Sequence, residues 1–154
     1  MLQTDCLIRK MTTLDLDQLM AIENEAFNLP WSRQSYEAEL LNQWATYLVC
    51  DYEGELAAYI GMWTVFEEAH ITNVAVAKRF RGRGMGQALM LEEEKIARAK
   101  RAERILLEVR PSNTAAMKMY KSLGYIPTGL RKEYYADNLE DAIIMTKYLT
   151  WKNL

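Results

Sequence analysis

The fold of this chain is decided by residues 71–87, which read ITNVAVAKRFRGRGMGQ. The first part is apolar and β-branched, which predicts a strand, and residues 87–100 have a helix-forming composition. Between them, residues 81–86 follow the pattern Arg-x-x-Gly-x-Gly. Glycines at the start of a helix let backbone amides face an anion beside the positive end of the helix dipole, so this loop can hold a pyrophosphate. Tight turns also use glycine for steric reasons, and the loop alone leaves that alternative open.

The residues before this loop predict β- and α-elements in a mixed order. Residues 7–11 form a short apolar run typical of a strand, and Thr12 or Thr13 can cap the helix that follows it. Ser32 can cap a second, shorter helix. Three consecutive antiparallel strands are then predicted, at residues 47–52, 56–66 and 69–77.

The residues after the loop predict a second α/β segment. A strand at 104–110 is followed by a helix that starts at Asn113 and ends at Gly124, and two closing strands lie at 125–130 and 142–149. The order β-α-α-β-β-β-α-β-α-β-β excludes a regularly alternating wound sheet. We expect one mixed α/β domain over residues 1–154, because this length supports a single core.

Composition and charge exclude several classes of partner. The formal net charge is −2, so the electrostatic attraction that drives general binding to nucleic acids or anionic membranes is absent. We therefore expect no direct nucleic-acid partner and no membrane partner. Charges at Asp5, Arg9 and Lys10 interrupt any apolar leader segment, which favours a cytoplasmic location.

The cysteines and the histidine indicate neither a metal site nor a disulfide framework. Cys6 and Cys50 are widely spaced, and His70 is the only histidine of the chain. Neither spacing matches a metal-ligand pattern. We expect two free thiols and no metal.

A family resemblance appears when the loop is taken together with its neighbours. Val74-Ala75-Val76 precedes the loop, and Glu108 and residues 113–120 follow it in the next strand and helix. This arrangement resembles the GCN5-related N-acetyltransferase (GNAT) superfamily over essentially the whole chain. The resemblance implies the GNAT fold, which is a single mixed, mostly antiparallel sheet splayed between strands 4 and 5 with helices on both faces. It also implies acetyl-CoA as co-substrate.

The same resemblance implies which residues hold the coenzyme. Backbone groups of Val74, Ala75 and Val76 would bind the pantetheine arm, and Asn113 would add a further contact. The pyrophosphate would lie on the loop and the first turn of the helix, formed by Arg81, Gly82, Arg83, Gly84, Met85, Gly86 and Gln87.

Several later motifs narrow the resemblance. They are LEVRPSN at 107–113, YKSLGY at 120–125, RKEYY at 131–135 and EDAIIM at 140–145, together with PWS at 30–32. Jointly they resemble the GNAT members that acetylate the N-terminal alanine of the eighteenth small-subunit ribosomal protein. The acceptor implied is a protein or peptide N-terminus. Trp31, Tyr134 and Tyr135 resemble family positions that flank a tunnel for the acceptor peptide. Packing or exposed aromatic side chains are an equally good account of these three residues.

Glu108 and Tyr120 are the candidate catalytic residues. An ammonium must lose a proton before it attacks a thioester, and the departing thiolate benefits from receiving one. Glu108 lies in an apolar strand, where we expect burial to raise its pKa toward that of a useful base. Tyr120 follows Asn113 by two helical turns, so both project from one helix face, and the resemblance assigns Tyr120 as the acid. An outward-facing Glu108 and a core Tyr120 are the structural alternatives.

The acceptor side leaves other functions open. Glu67, Glu68 and His70 fall near a predicted turn, where they could meet a cationic substrate. A solvated turn is the simpler interpretation. The acceptor could be another protein N-terminus, a lysine or a small amine. A non-catalytic acyl-CoA-binding module is the alternative outside enzymes.

Overall fold

The computed structural model describes residues 6–149, which contain seven strands and four α-helices. The strands form one sheet in the order β1-β2-β3-β4-β5-β7-β6. They are β1 Cys6–Lys10, β2 Ala45–Tyr52, β3 Glu55–Val65, β4 Glu68–Val76, β5 Arg104–Val109, β6 Ile126–Arg131 and β7 Ala142–Tyr148. The helices are α1 Leu16–Ala26, α2 Arg33–Leu40, α3 Met85–Ala99 and α4 Thr114–Ser122, with short 3-10 turns at Thr13–Asp15 and Lys78–Phe80.

The pairing of the strands confirms the mixed, mostly antiparallel sheet. The pairs β1–β2, β2–β3, β5–β7 and β6–β7 are antiparallel. The pair β4–β5 is parallel and covers three residue pairs, from Glu68 with Arg104 to His70 with Leu106. No helix within the described residues combines the length and the apolar character needed to span a membrane.

The predicted helix boundaries follow from local caps. The Ser32 hydroxyl accepts a hydrogen bond of 3.1 Å from the Ser35 amide, and the Asn113 side chain accepts one of 3.2 Å from the Ala116 amide. Each bond satisfies an amide that the first turn of a helix would leave unpaired. Helix α3 begins at Met85, two residues before the predicted start, because its first helical bond already runs from the Ala88 amide to the Gly84 carbonyl.

The contacts within the chain define two compact units, which are described separately. The first contains β1, β2, β3 up to Trp63, α1, α2, β4 from Ile71 onward and α3 up to Ile96. The second contains the end of β3 from Thr64 onward, β4 up to His70, the end of α3 from Ala97 onward, and the elements from β5 to β7. The single domain expected from the sequence stays a prediction.

The core of the first unit encloses a carboxylate. Leu16, Leu19 and Ile22 of α1 pack with Tyr36 and Tyr59, and Glu23 lies buried among them. The Tyr36 hydroxyl donates to Glu23 Oε1 at 2.6 Å, and the Tyr59 hydroxyl donates to the same oxygen. Glu23 Oε2 accepts a bond of 2.9 Å from the Trp31 amide. A buried carboxylate is tolerated because its oxygens are satisfied in this way, and here it also ties down the segment between α1 and α2.

The core of the second unit is built by alternation along β5. Ile105, Leu107 and Val109 are buried, whereas Leu106 and Glu108 point to the opposite face of the sheet. Met145 of β7 and Tyr120 of α4 are also buried in this unit.

Replacing Glu23 with alanine should destabilise the first unit. The change removes the acceptor of two phenol hydroxyls and one backbone amide in a buried site, so the free energy of unfolding should fall by about 3 kcal/mol. Glu25→Ala is the matched control, because Glu25 is an exposed residue of the same helix. Urea denaturation at one pH measures both variants, and equal losses of stability would contradict the role assigned to Glu23.

Candidate functional site

The glycine loop of the first unit has the backbone form expected of an anion cradle. Gly82 and Gly84 have φ angles of +79° and +80°, in the left-handed region that favours glycine. A side chain at Gly82 would meet open space, so it is backbone conformation and not crowding that requires glycine there. Helix α3 begins directly after the loop, at Met85. The exposed amides of the loop and the positive end of the helix dipole therefore lie together.

The arginines of this segment are held by neighbouring groups of the first unit. The Arg81 side chain donates from Nε to the carbonyl oxygen of Val76 at 3.2 Å, which ties the loop to the end of β4. The Arg83 guanidinium lies over the rings of Tyr52 and Phe80, with distances of 5.9 and 5.2 Å to the ring centroids. Phe80 itself is buried. These contacts hold the loop on both sides of Gly82, which is exposed.

The strand end before the loop presents two side chains on one face. Ala75 is buried, while Val74 and Val76 on the opposite face are half-buried. The strand is continued by a hydrogen bond of 2.8 Å from the Ala77 amide to the Ala57 carbonyl of β3.

In the second unit, Glu108 is the centre of a charged cluster. Its Oε1 lies 2.7 Å from His70 Nε2, and its Oε2 lies 3.4 Å from Arg131 Nε. The Glu108 side chain is only 8% exposed, whereas those of His70 and Arg131 are 31% and 52% exposed. The alternative of an outward-facing, solvated Glu108 is therefore wrong.

Strand register explains why these three residues meet. His70 pairs with Leu106, and Glu108 is two residues farther along β5 on the same face. Glu108 stands opposite Ile144 of β7, which in turn stands opposite Gly129 of β6, two residues before Arg131. Both partners of Glu108 thus come from neighbouring rows of the same sheet face.

The predicted rise of the Glu108 pKa is wrong. Burial is the largest single influence and does raise this pKa. The hydrogen bond and charge of His70, followed by the charge of Arg131, act in the other direction and together lower the pKa of Glu108 below its ordinary value. The carboxylate is therefore ionised at neutral pH, as a proton acceptor must be, but it is a weaker base than the sequence suggested.

The position of Tyr120 is fixed by the end of α4. Gly124 has a φ of +99°, and the amides of Gly124 and Tyr125 donate to the carbonyls of Lys121 and Tyr120 at 3.0 Å each. This is a Schellman ending, whose usual apolar contact is made here by the rings of Tyr125 and Tyr120, 6.1 Å apart. Burial, followed by the neighbouring Tyr135, raises the pKa of Tyr120 to about 12. Its phenol consequently stays protonated at neutral pH and can donate a hydrogen bond.

Arg110 holds the segment that carries Tyr134 and Tyr135. Its guanidinium makes two bonds of 2.9 Å to Asp137, reaches Glu140 at 3.3 Å, and lies 3.9 Å from the centroid of the Tyr135 ring. Glu140 also accepts from the amide and the hydroxyl of Ser112, at 2.8 and 2.9 Å. The segment between β6 and β7 is thus fastened to the loop between β5 and α4. Tyr134 and Tyr135 pack edge to face, with their centroids 5.0 Å apart.

The predicted site residues fall into two groups, one in each unit. The coenzyme residues of β4 and the loop lie in the first unit, as does Trp31, which packs on Tyr36 at 5.3 Å and is half-buried. Asn113 lies in the second unit, where its side chain caps α4. Glu108, Tyr120, Tyr134 and Tyr135 all lie in the second unit. In addition to burial, the charge of Glu108 raises the pKa values of Tyr134 and Tyr135, and Tyr135 raises that of Tyr120.

Four residues to which the sequence analysis assigns no place among the site residues complete these arrangements. They are Glu23, His70, Arg110 and Arg131. His70 comes near Glu108 because β4 pairs with β5 at a spacing of 36 residues. This pairing register cannot be read from the sequence. Within residues 6–149, no three His, Cys, Asp or Glu side chains lie close enough together to hold a metal ion.

Comparison with known proteins decides the family. The family described as the Acetyltransferase (GNAT) family matches residues 16–125. The chain belongs to the GNAT family. A relative from Bacillus subtilis is 42% identical over 145 residues, which cover 94% of this chain and 96% of the relative. The predicted family is therefore confirmed.

Solved structures place the fold in the same family. The ribosomal-protein-S18-alanine N-acetyltransferase from Escherichia coli superposes with a TM-score of 0.86 at 31% identity, covering 97% of this chain and 98% of that protein. NAA60 from Arabidopsis thaliana in complex with acetyl-CoA reaches a TM-score of 0.86 at 16% identity, covering 94% and 98% of the two chains, and shows the fold alone. The predicted fold class is confirmed. Among the strand pairs whose register is described, β4–β5 is the parallel one.

Removing the Arg131 charge should raise the pKa of Glu108. Arg131→Met deletes one of the influences that lower this pKa while His70 remains in place. Carboxyl carbon NMR as a function of pH measures the shift. Lys132→Met is the matched control, since Lys132 pairs with Asp141 and does not contact Glu108 in the described residues. An unchanged Glu108 titration in Arg131→Met, or an equal shift in the control, would contradict the cluster.

The lowered pKa of Glu108 also determines how the stability of the folded protein depends on pH. The folded-state pKa of Glu108 lies below the unfolded value, so ionised Glu108 stabilises the folded protein above about pH 4.3. This contribution is lost as pH falls through the lowered folded pKa. In Arg131→Met it should be smaller, and the difference in stability between the two proteins should shrink on acidification.

Proposed function

We propose that this chain transfers an acetyl group from acetyl-CoA to the α-amine of the N-terminal alanine of ribosomal protein bS18. Family membership supports acetyl transfer, and the Escherichia coli relative carries this activity in its name. The observation that carries the proposal is the cluster around Glu108, where a carboxylate that is ionised at neutral pH lies among His70, Arg131, Tyr134 and Tyr135. Such a cluster can receive a proton from a cationic N-terminus.

The first unit offers a fitting place for the coenzyme. The amides from Gly82 to Gln87 would hold the pyrophosphate, since the glycines leave them uncovered and α3 begins among them. Backbone groups of residues 74–76 would hold the pantetheine arm, with Asn113 as the further coenzyme residue that the family resemblance implies. When bound, the coenzyme supplies an activated acetyl thioester.

The protein's own groups would manage the protons of the reaction. The α-ammonium loses one proton before attack, and Glu108 is the base of this proposal, directly or through a water molecule. As the carbon–nitrogen bond forms and the carbon–sulfur bond breaks, negative charge develops on sulfur. Tyr120, with a pKa of about 12, would donate a hydrogen bond to that sulfur. The second proton of the amine would end on the sulfur.

Direct transfer is favoured over an acetyl-cysteine route. Burial raises the pKa of the Cys50 thiol, which makes it a poor nucleophile. Cys6 and Cys50 carry thiols and form no disulfide, as expected for a protein of a reducing compartment, and we place the activity in the cytoplasm.

The acceptor would be recognised by the segment between β6 and β7. Arg110 and Glu140 hold this segment, so Tyr134 and Tyr135 would present fixed aromatic surfaces to a peptide. Trp31 would contribute from the segment tied to Glu23. Acetylation of another N-terminus, of lysine or of a small amine is the second candidate, and it differs only in these acceptor contacts.

Glu108→Gln and Tyr120→Phe should each lower turnover well over tenfold without weakening acetyl-CoA binding. The first change removes the negative charge and the second removes the hydroxyl that faces the leaving group. Steady-state kinetics with acetyl-CoA and a peptide beginning Ala-Arg-Tyr-Phe measure turnover, and calorimetry measures coenzyme binding.

Matched controls exist in the same unit. Glu103→Gln and Tyr148→Phe change exposed residues of the same types and should retain the wild-type rate. Near-normal turnover in Glu108→Gln or Tyr120→Phe would contradict the role proposed for that residue. A wild-type protein that binds acetyl-CoA and acetylates no amine would instead favour the non-catalytic module.

A further inference from the structure

We propose that His70 and Glu108 form a dyad in which the imidazole of His70 receives the proton released by the acceptor amine. The inference rests on the proposed function and refines it, because Glu108 then acts through the ring it holds. The observation is the bond of 2.7 Å between His70 Nε2 and Glu108 Oε1, made across the parallel strands β4 and β5.

The two members of the dyad differ in access. Glu108 is 8% exposed, and its oxygens already face His70 on one side and Arg131 on the other. A carboxylate held between two such groups gains little from a further proton. The His70 ring is about a third exposed, so it is the part of the pair that an incoming amine or a bridging water reaches more readily.

The chemistry of the ring completes the step. Opposite an ionised carboxylate, Nε2 of a neutral imidazole carries the hydrogen and donates it, which leaves the lone pair on Nδ1. In the proposed step, the nitrogen–hydrogen bond of the ammonium breaks and a hydrogen bonds to Nδ1, directly or through one water molecule. The resulting imidazolium faces the Glu108 carboxylate, which stabilises its charge. The proton then leaves to solvent, and no other reactant is consumed.

The charged and titratable groups around the dyad come from β4, β5, β6 and the segment after β6. On β4 and β5, Glu68 and Arg104 bind each other at 3.1 Å on the same sheet face. On β6, Arg131 lies 3.4 Å from Glu108 Oε2, the carboxylate oxygen that does not face His70. From the segment after β6, the phenols of Tyr134 and Tyr135 are influenced by the charge of Glu108.

One substitution distinguishes proton transfer to His70 from proton transfer directly to Glu108. His70→Gln keeps an Nε2 donor for Glu108 but offers no basic nitrogen, so the carboxylate stays held while the proton acceptor is lost. His70→Ala removes both functions and opens space for added imidazole. Glu68→Gln, two residues away on the same face of β4, is the matched control.

The experiment measures kcat and kcat/KM for an alanine-initiated peptide from about pH 5.5 to about pH 9.5, a range that covers the titration of an imidazole and of an N-terminal amine. We expect His70→Gln to lower kcat roughly a hundredfold with an unchanged KM for acetyl-CoA. The acidic limb of the wild-type kcat/KM profile should change shape in this variant, and added imidazole should restore part of the rate of His70→Ala. Glu68→Gln should match the wild type.

The outcomes separate this inference from the proposed function. Wild-type turnover and an unaltered pH profile in His70→Gln, with Glu108→Gln inactive, would overturn the dyad and leave Glu108 as the direct base. Absence of acetyl transfer by the wild-type protein would overturn the proposed function itself. Thermal unfolding of both His70 variants checks that each is folded at the assay temperature, and the conclusion is drawn from whichever variant remains folded.

Discussion

Three residue pairs between β4 and β5 set the geometry on which the acidic site depends. Parallel pairing of His70 with Leu106 places Glu108 one pleat farther along the same face, within hydrogen-bonding distance of the ring. A shift of one residue would turn Glu108 to the opposite face, among the buried side chains of Ile105 and Leu107. The short parallel register is therefore a condition of the chemistry as well as of the fold.

The other candidate groups are fixed by local devices of different kinds. A Schellman ending at Gly124 holds Tyr120 against Tyr125. The guanidinium of Arg110 packs on one face of the Tyr135 ring. The loop at Gly82 and Gly84 relies on left-handed backbone angles. Each of these features holds a candidate group in place through backbone geometry or contact with a charged side chain. The groups are therefore positioned before a substrate binds.

Sequence reasoning succeeded where the signal is local. Ser32, Asn113 and Gly124 mark helix ends through bonds to residues three positions away, and each is predicted from the sequence. It failed where the cause is distant along the chain. The pKa of Glu108 was predicted to rise because the apolar strand was visible, whereas His70 and Arg131 lie 38 and 23 positions away.

Localising the transferred acetyl group tests the central claim most directly. The acceptor is a peptide with a free N-terminal alanine and one internal lysine, incubated with the protein and acetyl-CoA labelled with carbon-13 in the acetyl group. Tandem mass spectrometry then locates the label. The account predicts that the label lies on the α-nitrogen of alanine and is absent from lysine. Label on the lysine side chain alone would contradict N-terminal acetylation while leaving the fold and the family unchanged.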